Sequence, residues 1–147
     1  MWFAVTIPVV MWDAAFVLSR PDSLPGGSIA WIWSPYHLYL AVDHRYLDLS
    51  DAFVIAQSCM NLIEAALGGL ALYLASRAHL RARLLAFSVA LMTLAKTVLY
   101  FMVEAVNGFA NIAHAEPWRI ALFYATMNGV WIIFPAMIVR RLGREIT

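Results

Sequence analysis

Residues 51–75 read DAFVIAQSCMNLIEAALGGLALYLA, an apolar run broken near its middle by Asn61 and, three positions on, Glu64. Crossing a hydrocarbon core takes about 20 apolar residues at about 1.5 Å of rise each, and this run has the length. A carboxylate at that depth costs about 3 kcal/mol or more unless it faces protein or a water-filled cavity. The stretch therefore reads as a transmembrane helix with one working face.

Three further stretches repeat the pattern. Residues 1–18 carry Asp13, residues 84–106 carry Lys96, and residues 118–139 carry Asn128. The expected fold is all-α: a polytopic four-transmembrane-helix bundle, a single domain over 1–147, with an intramembrane pocket. Composition agrees. The chain has 147 residues, 63% hydrophobic and 13% charged, where soluble domains carry about 25% charge. Mean hydropathy is +0.75. A net charge of +1 gives nucleic acid no electrostatic footing. A single cysteine, Cys59, rules out an internal disulfide and leaves the redox compartment open. No cleavable signal is expected, because the first stretch has no basic n-region and Asp13 interrupts it.

Orientation follows from the basic residues. Arg77, Arg81 and Arg83 lie between spans two and three, and Arg140, Arg141 and Arg144 follow span four. Both segments are expected on the cytoplasmic side, which with four spans places both termini there. The long first loop, residues 19–50, opens with Pro21, Pro25, Gly26 and Gly27 and carries Trp31, Trp33, Tyr36, Tyr39 and Tyr46. Residues 36–42 are expected as a short interfacial helix, either an aromatic anchor in the membrane surface or a lid over the site.

The polar residues share depth and face. Asn61 with Glu64, and Asn128 with Trp131, are i,i+3 neighbours; Lys96, Tyr100 and Glu104 are spaced i,i+4. Interhelical hydrogen bonding would account for the amides alone, but two carboxyls and an ammonium exceed what helix association needs. Asp13, Glu64 and Lys96 are the candidate catalytic residues, and Asn61, Tyr100, Asn128, Trp131 and Glu104 the candidate substrate contacts. Glu104 lies nearer the interface, where a solvated helix end is also expected. His37, His44, His79 and His114 lack metal-ligand spacing, so neither metal nor cofactor is expected.

These residues also carry a resemblance. The segments Asp13-Ala14-Ala15-Phe16-Val17-Leu18, Asp43-His44-Arg45-Tyr46 with Phe53, Leu99-Tyr100-Phe101 with Glu104, and Phe123-Tyr124 with Met127-Asn128, Trp131 and Pro135 are similar to the emopamil-binding protein superfamily (EXPERA domain), which includes sterol delta8-delta7 isomerases and the sigma-2 receptor. The resemblance implies a four-helix pocket open to the bilayer, with Asp13 as the first-helix acid and Tyr100, Asn128 and Trp131 lining it. The chain departs from the isomerase pattern at Val9, where the isomerases have a histidine. It departs again at Asn61, where a second-helix acid is replaced and Glu64 supplies a carboxyl one turn away. Lys96 stands where those isomerases carry no base.

A double-bond shift or ring closure needs an acid for carbon, a face for the resulting cation and a base for a different proton. Asp13 and Glu64 are read as that pair, with Lys96 biasing one of them, Trp131 facing the cation and Asn128 orienting substrate. Lys96 is read as ion-paired with Glu64 or Asp13, a Schiff-base lysine being the alternative. The expected function is thus a membrane isomerase or cyclase for a hydrophobic terpenoid or sterol-like substrate. The alternative is a non-catalytic binding or trafficking protein for sterols or cationic amphiphiles, like the sigma-2 receptor. Partners are the substrate and the lipid bilayer, with a homodimer allowed. The resemblance implies the endoplasmic reticulum membrane in a eukaryote; a bacterial inner membrane fits the charge pattern equally.

Overall fold

The computed structural model describes residues 2–146. Met1 and Thr147, the outer limits expected for the first span and for the domain, lie outside the described residues. Among the described residues the architecture is all-helical, with four long helices and one short one. Helix α1 is Trp2–Leu18, with Pro8 tolerated inside it. A short α2, His37–Leu40, follows in the loop. Helix α3 is Ala52–Ser76, α4 is Arg81–Val106, and α5 runs over Pro117–Ile146.

The helix ends have local causes. Asp51, expected as the first residue of its span, is instead the N-cap of α3. Its side chain accepts the Val54 N–H at 3.0 Å, filling one of the donors that a helix start leaves open. Helix α4 begins at Arg81, ahead of the expected residue 84. Helix α5 outruns its expected end at residue 139, because strong helix formers follow and Arg141 bonds Glu145 one turn on at 3.1 Å. Inside α5, residues Ile120–Thr126 form a π-helical segment, and the Thr126 hydroxyl donates to the Ala121 carbonyl, five residues back, at 2.8 Å.

Helices α3, α4 and α5 are long and apolar enough to cross a membrane; α1 is apolar but shorter, with 17 residues. Packing runs in sequence order, α1 on α3, α3 on α4, α4 on α5. Trp2 closes one end of the α1–α5 seam, stacking on Phe134 at 5.1 Å and making a T-shaped contact with Trp131 at 5.6 Å. The exterior is apolar, with Leu62, Ile63 and Leu70 on α3 and Leu91, Leu99 and Met102 on α4 all exposed. Such a surface suits acyl chains rather than water.

The loop departs most from expectation. It winds as a 3₁₀ segment over Ala30–Tyr36, the four-residue α2, and a 3₁₀ turn over His44–Tyr46. Trp31 remains outside, 76% exposed, but Trp33, Leu40 and Val42 are buried and pack with Phe16, Val54, Tyr100 and Tyr124. The Arg20 guanidinium fastens the loop's far end, donating to the Tyr46 and Asp48 carbonyls at 2.9 Å each. The loop is a packed cap on one end of the bundle.

Candidate active site

Beneath the cap lies a cavity of about 360 Å³, walled by α1, α3, α4, α5 and the loop. That volume is within the range of small-molecule sites, about 300–1,000 Å³. Of the eight candidate residues, seven line it: Asp13, Asn61, Glu64, Lys96, Tyr100, Asn128 and Trp131.

One wall is polar. Periodicity puts Asn61 and Glu64 on the buried face of α3 and Thr93 and Lys96 on the facing side of α4. Lys96 Nζ donates to Glu64 Oε2 at 3.1 Å and also to Asn61 Oδ1. The amide of Asn61 then passes the connection to α1, its Nδ2 donating to Asp13 Oδ2 at 3.0 Å. Lys96 is therefore ion-paired with Glu64 directly and reaches Asp13 through Asn61. On its other oxygen, Asp13 accepts the phenols of Tyr36 and, at 3.3 Å, Tyr46. Thr93 Oγ1 lies 2.9 Å from Glu64 Oε2. Glu64 Oε1, by contrast, is buried without a hydrogen-bond partner.

The opposite wall comes from α5. The π-helical segment sets the register that brings Phe123, Met127, Asn128 and Trp131 to the cavity. Segments of this kind recur at functional sites because they turn the following side chains. Asn128 is oriented from both sides, its Nδ2 donating to the Tyr124 carbonyl at 2.8 Å and to the Tyr39 hydroxyl at 3.3 Å. Trp131 lines the cavity beside it.

Glu104 does not line the cavity, and it is not a solvated end: it is 1% exposed. The cap supplies it with a partner, since Arg45 Nη2 donates to Glu104 Oε2 at 3.1 Å. Asn111 adds a backbone bond at 3.0 Å and a side-chain bond at 2.8 Å. The Arg45 guanidinium lies 5.4 Å from the Phe53 ring centroid and 5.6 Å from that of Tyr100, and its Nε is 3.6 Å from Asp51. A carboxylate at this depth is kept because a planar, weakly hydrated cation is brought to it. Tyr100, one turn away, donates to Asp43 Oδ2, so it serves both cavity and cap. Burial raises the Asp43 carboxyl above the ordinary carboxylate range, against the bonds from Tyr100, the Arg45 N–H and Tyr39 that hold it down.

Sequence reasoning missed Tyr36 and Tyr46 as partners of Asp13, and Arg45 as the partner of Glu104. A clue existed in each case. A first-helix acid with no basic residue on its own helix needs donors from elsewhere, and an interior Glu104 needs a cation. The phenols are pushed far above their usual range, first by burial and then by the Asp13 charge, so Tyr36 and Tyr46 serve Asp13 as donors.

No protein-family model matches the chain. Two curated proteins are similar to it over nearly all its length. An isomeliandiol synthase of Melia azedarach is 26% identical over 148 aligned positions, which cover 99% of this chain and 67% of that protein. A 3-beta-hydroxysteroid-Delta(8),Delta(7)-isomerase of Rattus norvegicus is 27% identical over 143 positions, covering 94% of this chain and 54% of that protein. The chain thus spans about half to two thirds of the length of the relatives it matches. Both are enzymes of the emopamil-binding protein family, the family whose motifs this sequence resembles.

Proposed function

We propose, from the premise of that likeness, that this protein is a membrane-embedded isomerase or cyclase acting by proton transfer on a hydrophobic terpenoid or sterol-like substrate. The observation that carries the reading is the polar wall. Asp13 and Glu64 face one apolar cavity and are made inequivalent by Lys96, which touches Glu64 and reaches Asp13 only through Asn61. Two carboxyls in unlike surroundings are what an acid–base pair requires.

In this mechanism one carboxyl delivers its proton to an alkene carbon. The π pair becomes the new C–H bond and leaves a cation on the adjacent carbon, facing the Trp131 ring. The other carboxyl removes a proton from a neighbouring carbon, and that C–H pair becomes the shifted double bond. In a cyclase, a second alkene in the substrate attacks the cation first, forming a C–C bond before the proton is lost. The change is redox-neutral, and a proton passed between the two carboxyls restores the starting state. The carboxyls of Asp13 and Glu64, both of which line the cavity, are the groups that meet the substrate. The helices α1, α3, α4 and α5 would each span the bilayer, with both termini on the arginine-rich, cytoplasmic side. By the same likeness the membrane would be the endoplasmic reticulum.

The test is lipid mass spectrometry on a host expressing wild type, Asp13→Asn or Glu64→Gln. A same-mass product that needs both carboxyls is expected. Lipids that co-purify unchanged, with one substitution abolishing capture and the other not, would replace the enzyme with a binding protein whose single carboxylate is a counter-ion.

A further inference from the structure

We infer that the arginine-rich end of the bundle is a docking surface for anionic phospholipid, whose phosphates balance guanidinium charges that the chain leaves unmatched. The surface lies at the end opposite the cap and is independent of the cavity and of the catalytic reading.

Charge is divided unevenly along the bundle. Six of the ten basic residues stand at this end, Arg77, Arg81, Arg83, Arg140, Arg141 and Arg144, but only one of the nine acidic residues, Glu145. Two separate segments supply them. Arg77 follows α3 and Arg81 opens α4, whereas Arg140, Arg141 and Arg144 lie on the last turns of α5. The packing of α4 on α5 brings the segments together. A Cβ added at Gly143 would stand 3.5 Å from the Phe87 ring, and Glu145 is shared between Arg83 Nε at 3.6 Å and Arg141 Nε at 3.1 Å. All six arginines are exposed. Among the described residues, no carboxylate lies within ion-pair distance of Arg77, Arg81, Arg140 or Arg144.

Position and company select a lipid over a soluble partner. The arginines stand at the ends of the three helices that are long and apolar enough to cross a membrane, which puts them at headgroup level. Large apolar side chains are exposed among them. Leu80, in the turn between Arg77 and Arg81, is 93% exposed, and Leu84 and Met137 are exposed within a turn of Arg81 and Arg141. A soluble acidic partner would leave those side chains in water, whereas a phospholipid meets both kinds of surface, acyl chains on the apolar groups and phosphate on the guanidiniums. The planar fork of a guanidinium takes two phosphate oxygens at once, and Arg140 and Arg144 are i,i+4 neighbours on one face of α5. Phosphatidylcholine cancels its phosphate with its own ammonium. A lipid of net negative charge has no such internal partner, so the unmatched arginines favour it.

The experiment places the full chain in an equal mixture of phosphatidylcholine and phosphatidylglycerol, extracts it in mild detergent and counts the lipids retained by native mass spectrometry. Wild type is compared with the double variant Arg140→Gln, Arg144→Gln and with Arg119→Gln, a control at the cap end, where Arg119 lies over the Trp118 ring. Wild type should retain phosphatidylglycerol over phosphatidylcholine by about tenfold, as expected of basic residues at a membrane surface. The double variant should bring the two lipids within about twofold, and Arg119→Gln should match wild type. Equal retention of the two lipids by wild type overturns the inference, as does a double variant that keeps the full preference or an equal loss in Arg119→Gln. Soluble glycerol phosphate is added as a competitor. Displacement of the lipid by it would overturn the membrane assignment and make the surface a site for free phosphate esters.

Discussion

Two buried charge clusters of like composition sit in this bundle. Asp13 and Glu64 surround Lys96, and Asp51 and Glu104 surround Arg45. The surroundings separate them. Arg45 lies against two aromatic rings, and both oxygens of Glu104 are engaged, by Arg45 and Asn111. The other cluster borders the cavity beneath the cap. Each keeps one buried atom without a hydrogen-bond partner, Arg45 Nε and Glu64 Oε1, so the difference lies in place. The Arg45 cluster fastens a loop to a helix, and the Lys96 cluster stands in the wall of the cavity between helices. Choice of cation follows the same line, since a guanidinium fits a fixed fork of acceptors and an ammonium is a compact point charge.

The sharpest break between the two would come from Asp13→Asn or Glu64→Gln. Each should lower product formation by about 10²–10⁴-fold, the usual worth of a general acid or base, with little change in the thermal midpoint. A large loss of stability there would erase the distinction. Next in size is Arg45→Met, which strands Glu104 and Asp51 and should cost about 3–5 kcal/mol. Thermal unfolding in detergent reads it, and Arg45→Met combined with Glu104→Leu should recover part of the loss. Trp131→Leu tests the cavity from its other wall. Loss of a cation–π contact worth about 2 kcal/mol should slow turnover by roughly thirtyfold and leave the thermal midpoint nearly unchanged. The smallest effect is on pH. Burial raises the Asp43 carboxyl above its ordinary value of 3.8, so the fold favours its protonated form. That contribution is whole below 3.8 and is lost as pH rises through the folded-state value. Melting curves recorded upward from about pH 4 should decline more in wild type than in Asp43→Asn.

What could be read beforehand has a physical boundary. Asp13, Asn61, Glu64, Lys96 and Asn128 announced themselves because lipid makes an isolated polar group conspicuous, and helical spacing then gave their faces. Gln57, which also lines the cavity, drew no notice: a lone amide on an apolar helix is ordinary interhelical glue until its neighbours are known. Tyr36 and Tyr46 lie in a loop whose path no periodicity encodes, so their phenols could be counted but not aimed. Glu104 was read as a possible solvated end because its partner, Arg45, is 59 residues away in the chain. Length was the remaining gap. Three helices pass for spans on their own, while α1 takes its place from its packing against α3.

The π-helical segment Ile120–Thr126 means that α5 carries slack of one residue. A single deletion there would relax the segment to ordinary α-helix and swing everything downstream by about 100°. Asn128 and Trp131 would leave the cavity together, and two other side chains would enter, with α1, α3 and α4 untouched. Chain length at this one place is therefore a tuning variable. A lost codon would exchange both wall residues at once, where substitutions would have to change each separately.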